Sequence, residues 1–158
     1  MADAINRSIT VSVSNQTSDP TVDESRLREA VTHVLESNSI GCATIGVAVV
    51  SDEKIRLLNR EFLQHDYTTD VLSFPLDATC DTLEGEIAIS LDTAASQAKE
   101  YAWKVADELL LYVIHGTLHL VGYRDNSETT MAEMRAQEIA MLSHFGLRPH
   151  YHDSTINI

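Results

Sequence analysis

Residues 105–125 read VADELLLYVIHGTLHLVGYRD, and this stretch decides both the architecture and the candidate site. Residues 105–121 are largely apolar and free of breakers, which predicts a long helix buried over most of its surface. His115 and His119 lie four residues apart on it. In an α-helix that spacing leaves two side chains about 40° apart around the axis and one turn along it, so both imidazoles can reach one point. Gly122 follows, free to adopt a positive φ, end the helix and turn the chain sharply. Asp125 then returns toward the histidines.

The resulting pattern, HxxxHxxGxxD, is close to the extended zincin spacing HExxHxxGxxH, in which two helical histidines and one residue past the turn bind zinc. HxxxH alone arises often by chance on helices. A helix-ending glycine and a carboxylate at the third spacing make His115, His119 and Asp125 the candidate metal ligands. Three protein ligands leave a position for water, the mark of a catalytic rather than a closed structural site, and the ion lowers that water's pKa toward ~7. Hydrolysis is the implied chemistry. Glu128 and Asp107 do not continue the register. Gly116 stands where HExxH proteases place their general-base glutamate, which argues against a standard metalloprotease.

Outward from this helix, residues 9–13, ITVSV, alternate like a half-exposed strand, and NQTSDPTVD after them has the breakers of a loop. Asp23 is a good N-cap for an amphipathic helix with Leu27, Ala30, Val31, Val34 and Leu35 at helical spacing, stopped by residues 38–41. Residues 42–50, CATIGVAVV, suit a buried strand. Ser51 and Asp52 open a helix to about Leu63, with Ile55, Leu58 and Phe62 on one side. DVLSF at 70–74 is a short strand stopped by Pro75, and 84–90 is another that could pair with it across a polar loop at 77–83. Residues 91–101 read as a helix entered from Ser90. Met131, Met134, Met141, Leu142 and Phe145 mark a last helix ending at Gly146. The order predicts an α+β single domain over residues 1–158, a small mixed β-sheet of about four strands packed against several α-helices, with residues 1–8 and 150–158 loose.

The chain has 158 residues and a net charge of −13, with 11 Lys and Arg against 24 Asp and Glu. That balance excludes a broad, uniformly basic RNA surface, because nonspecific nucleic-acid binding draws on clustered cations. A local basic groove, an RNA substrate held by another protein, or a basic protein partner all stay open. The longest apolar runs, such as Leu109 to Ile114, fall far short of a membrane span, so no membrane partner is expected. The start MADAINRSIT has no signal-peptide pattern, so the cytoplasm is the expected compartment. Cys42 and Cys80 read as small buried hydrophobes that stay thiols in a reducing compartment.

The segment HGTLHLVGYRD resembles the hallmark HGxLHLxGYDH of the YbeY family of metal-dependent endoribonucleases, or ribosomal RNA maturation factors. DEKIRLLNREF, TTDVLSFP, LEGEIAIS and MRAQEIAML match family-like segments in the same order, so the resemblance covers roughly residues 45–145. It implies a mixed sheet with packed helices, one Zn2+ or other divalent transition metal per chain, and a cytoplasmic single-strand-specific endoribonuclease acting in ribosomal RNA maturation and ribosome quality control. Ribosomal RNA, the ribosome or ribosomal proteins are the implied partners.

Two departures stand out. Asp125 occupies the place of the family's usual third histidine, and carboxylate oxygen also ligates zinc. The carboxylate lowers the net charge of the ligand-plus-metal unit by one, weakening its Lewis acidity, and two histidines with one carboxylate also suit non-haem iron. Leu63 occupies the place of an arginine in the family's LNxxYR segment. Arg124, beside Asp125, is the candidate phosphate contact in its stead, its other reading being a solvated turn residue. Asn59, Asp70, Ser73 and Phe74 could shape the cleft or serve the fold, whereas His33, His65, His144, His150 and His152 lack a ligand register. Two other functions are set against the nuclease: a ribosome-associated assembly factor with a mainly structural metal, and a zincin-like hydrolase of another substrate.

Overall fold

The structure, a computed structural model, describes residues 8–76 and 82–151. Its elements run β1 (Ser8–Asn15), α1 (Glu24–Ser37), β2 (Cys42–Val50), α2 (Asp52–Leu63), β3 (Val71–Pro75), β4 (Leu83–Ser90), α3 (Leu91–Glu100), α4 (Val105–Leu120) and α5 (Glu128–Ser143). This is the expected order. Cys80, His152 and most of the expected loop at 77–83 lie outside the described residues.

The four strands form one mixed sheet in the order β1-β2-β4-β3. β1, β2 and β4 are parallel, with Val11 opposite Ile45 and Val47 opposite Ile87, while β3 joins β4 antiparallel. Helices α1 and α2 provide the chain length that a parallel return needs, and the short β3–β4 connection permits only an antiparallel pair. Pro75 ends β3 on the sheet's edge, where a missing N–H is tolerated.

Side-chain alternation splits the core in two. Ala43, Ile45, Val47 and Val49 of β2 and Ile87 and Ile89 of β4 face α1, α4 and α5, where Leu27, Val31, Leu35, Leu110, Ile114, Leu118, Met134 and Leu142 close a large apolar cluster. On the other face Ile55 of α2 closes a smaller cluster with Val50, Leu72 and Ala88, against which Ala48, Leu58 and Phe74 pack half-buried. The expected inward stripe of α2 therefore fails at Phe62, which is 60% exposed and meets the Phe74 ring at 5.5 Å between centroids.

α4 is buried on nearly every side from Leu109 to Ile114. Its approach to the sheet is set by Gly116, where an added Cβ would meet Ile87 Cγ2 at 2.9 Å, Ser73 Oγ at 3.0 Å and Val71 Cγ2 at 3.1 Å. A glutamate at this position would collide with β3 and β4. The expectation of a loose end from His150 is corrected for the two residues described. His150 stacks on Tyr101 at 4.1 Å between centroids, and the Tyr151 hydroxyl donates to Glu138.

Candidate metal centre

α4 ends on paired bonds typical of a left-handed helix stop. Gly122 takes φ +115°. Its N–H donates to the His119 carbonyl at 3.1 Å, and the Tyr123 N–H donates to the Leu118 carbonyl at 3.0 Å. The turn sets the Tyr123 carbonyl 3.0 Å from His119 Nδ1 and brings Asp125 back over the histidines.

These contacts orient both imidazoles. A carbonyl only accepts, so the His119 ring donates from Nδ1 and turns Nε2, the atom available to a metal, toward His115 and Asp125. His115 Nδ1 lies 2.5 Å from Oε2 of Glu138 on α5, which orients that ring in the same way. Burial alone would lower the His115 pKa, but the bond to Glu138, its charge and those of Asp125 and Asp70 outweigh burial and raise it above the ordinary imidazole value.

The two Nε2 atoms are 3.0 Å apart, and Asp125 Oδ2 is 3.3 Å from each. Three lone-pair donors thus converge, and only a cation or an added proton relieves their mutual repulsion. Bonds of ~2.0–2.1 Å in a tetrahedral site place neighbouring ligand atoms about 3.3–3.4 Å apart, so the triangle fits a zinc-type ion. Histidines whose far nitrogen is held by a carboxylate and a carbonyl are the usual form of metal-bound histidine. Among the described residues this is the one His, Cys, Asp and Glu cluster that could hold a metal ion.

The three donors form one wall of a cleft of about 380 Å³. Thr69, Asp70, Val71, Leu72, Ser73 and Pro75 form the other, with Leu63 at its rim. Ser73 is tied to α4 by its hydroxyl, which donates to the Gly116 carbonyl at 3.0 Å. Among the described residues no lysine or arginine lines the cleft.

A family model described as Endoribonuclease YbeY matches residues 12–146. The chain belongs to the endoribonuclease YbeY family. Among curated relatives that carry the name Endoribonuclease YbeY, the one from Moorella thermoacetica is 37% identical over 153 residues, 87% of this chain and 97% of that protein. The Salinibacter ruber relative is 35% identical over 125 residues, 74% of this chain and 80% of its own length. The match to the Rhodopirellula baltica relative reaches 46% identity over 111 residues, 68% of this chain but only 57% of that protein's length. A Thermotoga maritima protein known from its solution structure superposes with a TM-score of 0.56 at 29% identity, covering 87% of this chain and 91% of that one.

The two positions expected from the sequence to depart from the family pattern both line the cleft, Asp125 as the third atom of the triangle and Leu63, 42% exposed, beside Thr69 and Asp70. Arg124 does not join them. It is exposed on a neighbouring depression with Val121, Gly122, Thr130 and Glu133. Asn59 serves the fold, its buried Nδ2 donating to the Tyr67 carbonyl at 3.0 Å and tying α2 to the following loop. Asp70 and Ser73 line the cleft, and Phe74 faces away from it toward α2. His33 stacks on His144 at 3.9 Å and His65 on Tyr67 at 5.3 Å between centroids, both away from the metal triangle.

Two partners of the YbeY site escape a reading of the sequence alone: the Tyr123 carbonyl and Glu138. Glu138 does leave a trace. It interrupts the apolar stripe of α5 four residues after Met134 and three before Met141, where a buried carboxylate needs a partner.

Proposed function

We propose that the chain is a metal-dependent, single-strand-specific endoribonuclease acting on ribosomal RNA, with one zinc ion held by His115, His119 and Asp125. The convergence of three lone-pair donors within 3.0–3.3 Å, both histidines anchored through Nδ1, carries this reading. Family membership supplies the substrate class, and work in ribosomal RNA maturation and ribosome quality control in the cytoplasm follows as part of the same proposal.

Bound there, the ion would supply a Lewis acid and an acidified water. His115 and His119 would present their Nε2 atoms to it. Glu138 and the Tyr123 carbonyl hold the rings so that neither turns away. Thr69 and Ser73 line the same cleft, their hydroxyls donating to Asp70 Oδ1 at 3.3 Å and to the Gly116 carbonyl at 3.0 Å, which fixes its shape.

The test is cleavage of a ribosomal RNA precursor by purified protein of measured metal content. Cleavage that stops with chelator, returns with zinc and is lost in His115→Ala is the expected result. Metal-replete protein that cuts no ribosomal RNA precursor overturns the reading.

One observation favours a second reading, a ribosome-associated assembly factor with a mainly structural metal. Among the described residues the cleft is lined by no lysine or arginine, and Leu63 lines it at the position where the family resemblance leads one to expect an arginine. Co-sedimentation with ribosomes at full metal content, without cleavage, would select it.

A further inference from the structure

Tyr151 lies beyond residues 12–146 matched by the family model, yet it reaches the metal triangle through one intermediary. Its hydroxyl donates to Oε1 of Glu138, while Oε2 of the same carboxylate takes the His115 Nδ1 proton at 2.5 Å. Glu138 is 5% exposed, so water offers it little alternative. The guanidinium of Arg135, also on α5, lies 4.9 Å from the centroid of the Tyr151 ring and holds the ring in place.

The terminal torsion of a glutamate is broad and sets no carboxylate orientation by itself. One hydrogen bond would leave the group free to swing about that contact. Two, one on each oxygen, fix its plane, and a fixed carboxylate fixes the imidazole that donates to it.

We propose that Tyr151 is a positioning residue for the metal centre: its hydroxyl locks Glu138, and through it the His115 ring, so that metal affinity depends on the C-terminal turn. The inference rests on the reading that His115, His119 and Asp125 hold a metal. Docking of the turn and action of the hydroxyl are separable, because His150 beside it makes its own attachment, Nε2 2.9 Å from Glu108 and the ring stacked on Tyr101.

The experiment measures zinc affinity of the full chain, stripped and then titrated against a chromophoric chelator. Loss of an outer partner of a metal-bound histidine typically costs about 10–100-fold in affinity. Glu138→Gln should fall in that range and Tyr151→Phe, which keeps the ring over Arg135, near its lower end, about tenfold. His150→Ala should stay within about twofold. In zinc-loaded wild type the His115 Nδ1 proton should resonate far downfield, and in Tyr151→Phe it should move upfield and broaden. Unchanged zinc affinity and an unchanged His115 resonance in Tyr151→Phe overturn the proposal. Equal weakening by His150→Ala overturns it too, since docking alone would then suffice. Wild-type zinc affinity in His119→Ala would instead refute the metal site itself.

Discussion

Glu108 lies on α4 two turns before His115, 1% exposed, with Oε2 2.9 Å from His150 Nε2. Burial pushes its carboxyl up to about 7; the Tyr112 hydroxyl pulls it down, and the charges of Asp70 and Asp107 add to the rise. Burial also lowers His150 below the ordinary imidazole value, so burial works against the charged form of both partners. Because the folded pKa of Glu108 lies above the ordinary 4.5, the native state binds this proton more tightly than the unfolded chain. Its stabilising contribution is therefore complete below about 4.5 and is lost as pH rises through about 7. The full loss is on the order of 3 kcal/mol. Glu108→Gln removes that proton, so the stability of wild type relative to the variant, from urea unfolding, should decline from about pH 5 to about pH 8.5 toward that limit. A difference that stays flat across this range would show that Glu108 titrates as an ordinary surface carboxylate.

At the scale of the element, α4 joins the site to the fold through Gly116 within it and Gly122 just past its end. Gly116 lets the helix lie against β3 and β4, and Gly122 at φ +115° reverses the chain so that the Tyr123 carbonyl and Asp125 meet the histidines. Space is not the constraint at Gly122, where an added Cβ would touch nothing within 4 Å; backbone conformation is. Gly122→Ala should cost about 1–3 kcal/mol of stability. It should also weaken zinc binding, because relaxing φ moves the Tyr123 carbonyl off His119. A variant with lower thermal stability but wild-type zinc affinity would mean that the turn serves the fold alone. These features of α4 were legible in the sequence because each is local, the histidine spacing fixed by the helical period and the stop by a residue free in φ. The nine elements were legible for the same reason, since caps such as Asp23, Ser51 and Ser90 each accept a backbone N–H in the first helical turn. What depends on packing was not. Phe62 follows the apolar spacing of Ile55 yet stays exposed, Glu138 finds His115 only when α5 docks on α4, and Arg124 points where the turn sends it.

For the whole molecule, the open question is how a chain of net charge −13 holds a polyanion. Several of its described arginines are already engaged, Arg56 with Asp66 at 2.8 Å, Arg26 with Asp107 at 3.2 Å and Arg28 with the Val11 carbonyl at 3.2 Å, and none lines the cleft. For single strands, log affinity falls against log salt with a slope of about −0.7 per phosphate neutralised. A cleft whose described lining has no lysine or arginine leaves the metal centre as its one positive group and neutralises few phosphates, so the isolated protein should bind a single-stranded oligoribonucleotide weakly and with little salt dependence. Leu63→Arg restores a cation to the cleft wall. It should tighten binding at low salt and steepen the slope by about 0.7, as read by fluorescence anisotropy on a 2′-O-methyl strand that resists cleavage. A steep slope in wild type would put the phosphates on a basic surface outside the cleft. An unchanged slope in Leu63→Arg would show that the strand does not cross that wall. The expected pair of results leaves RNA affinity to a basic partner, for which the acidic surface is suited, so that cleavage should respond more to ribosomal proteins added to the assay than to lowered salt.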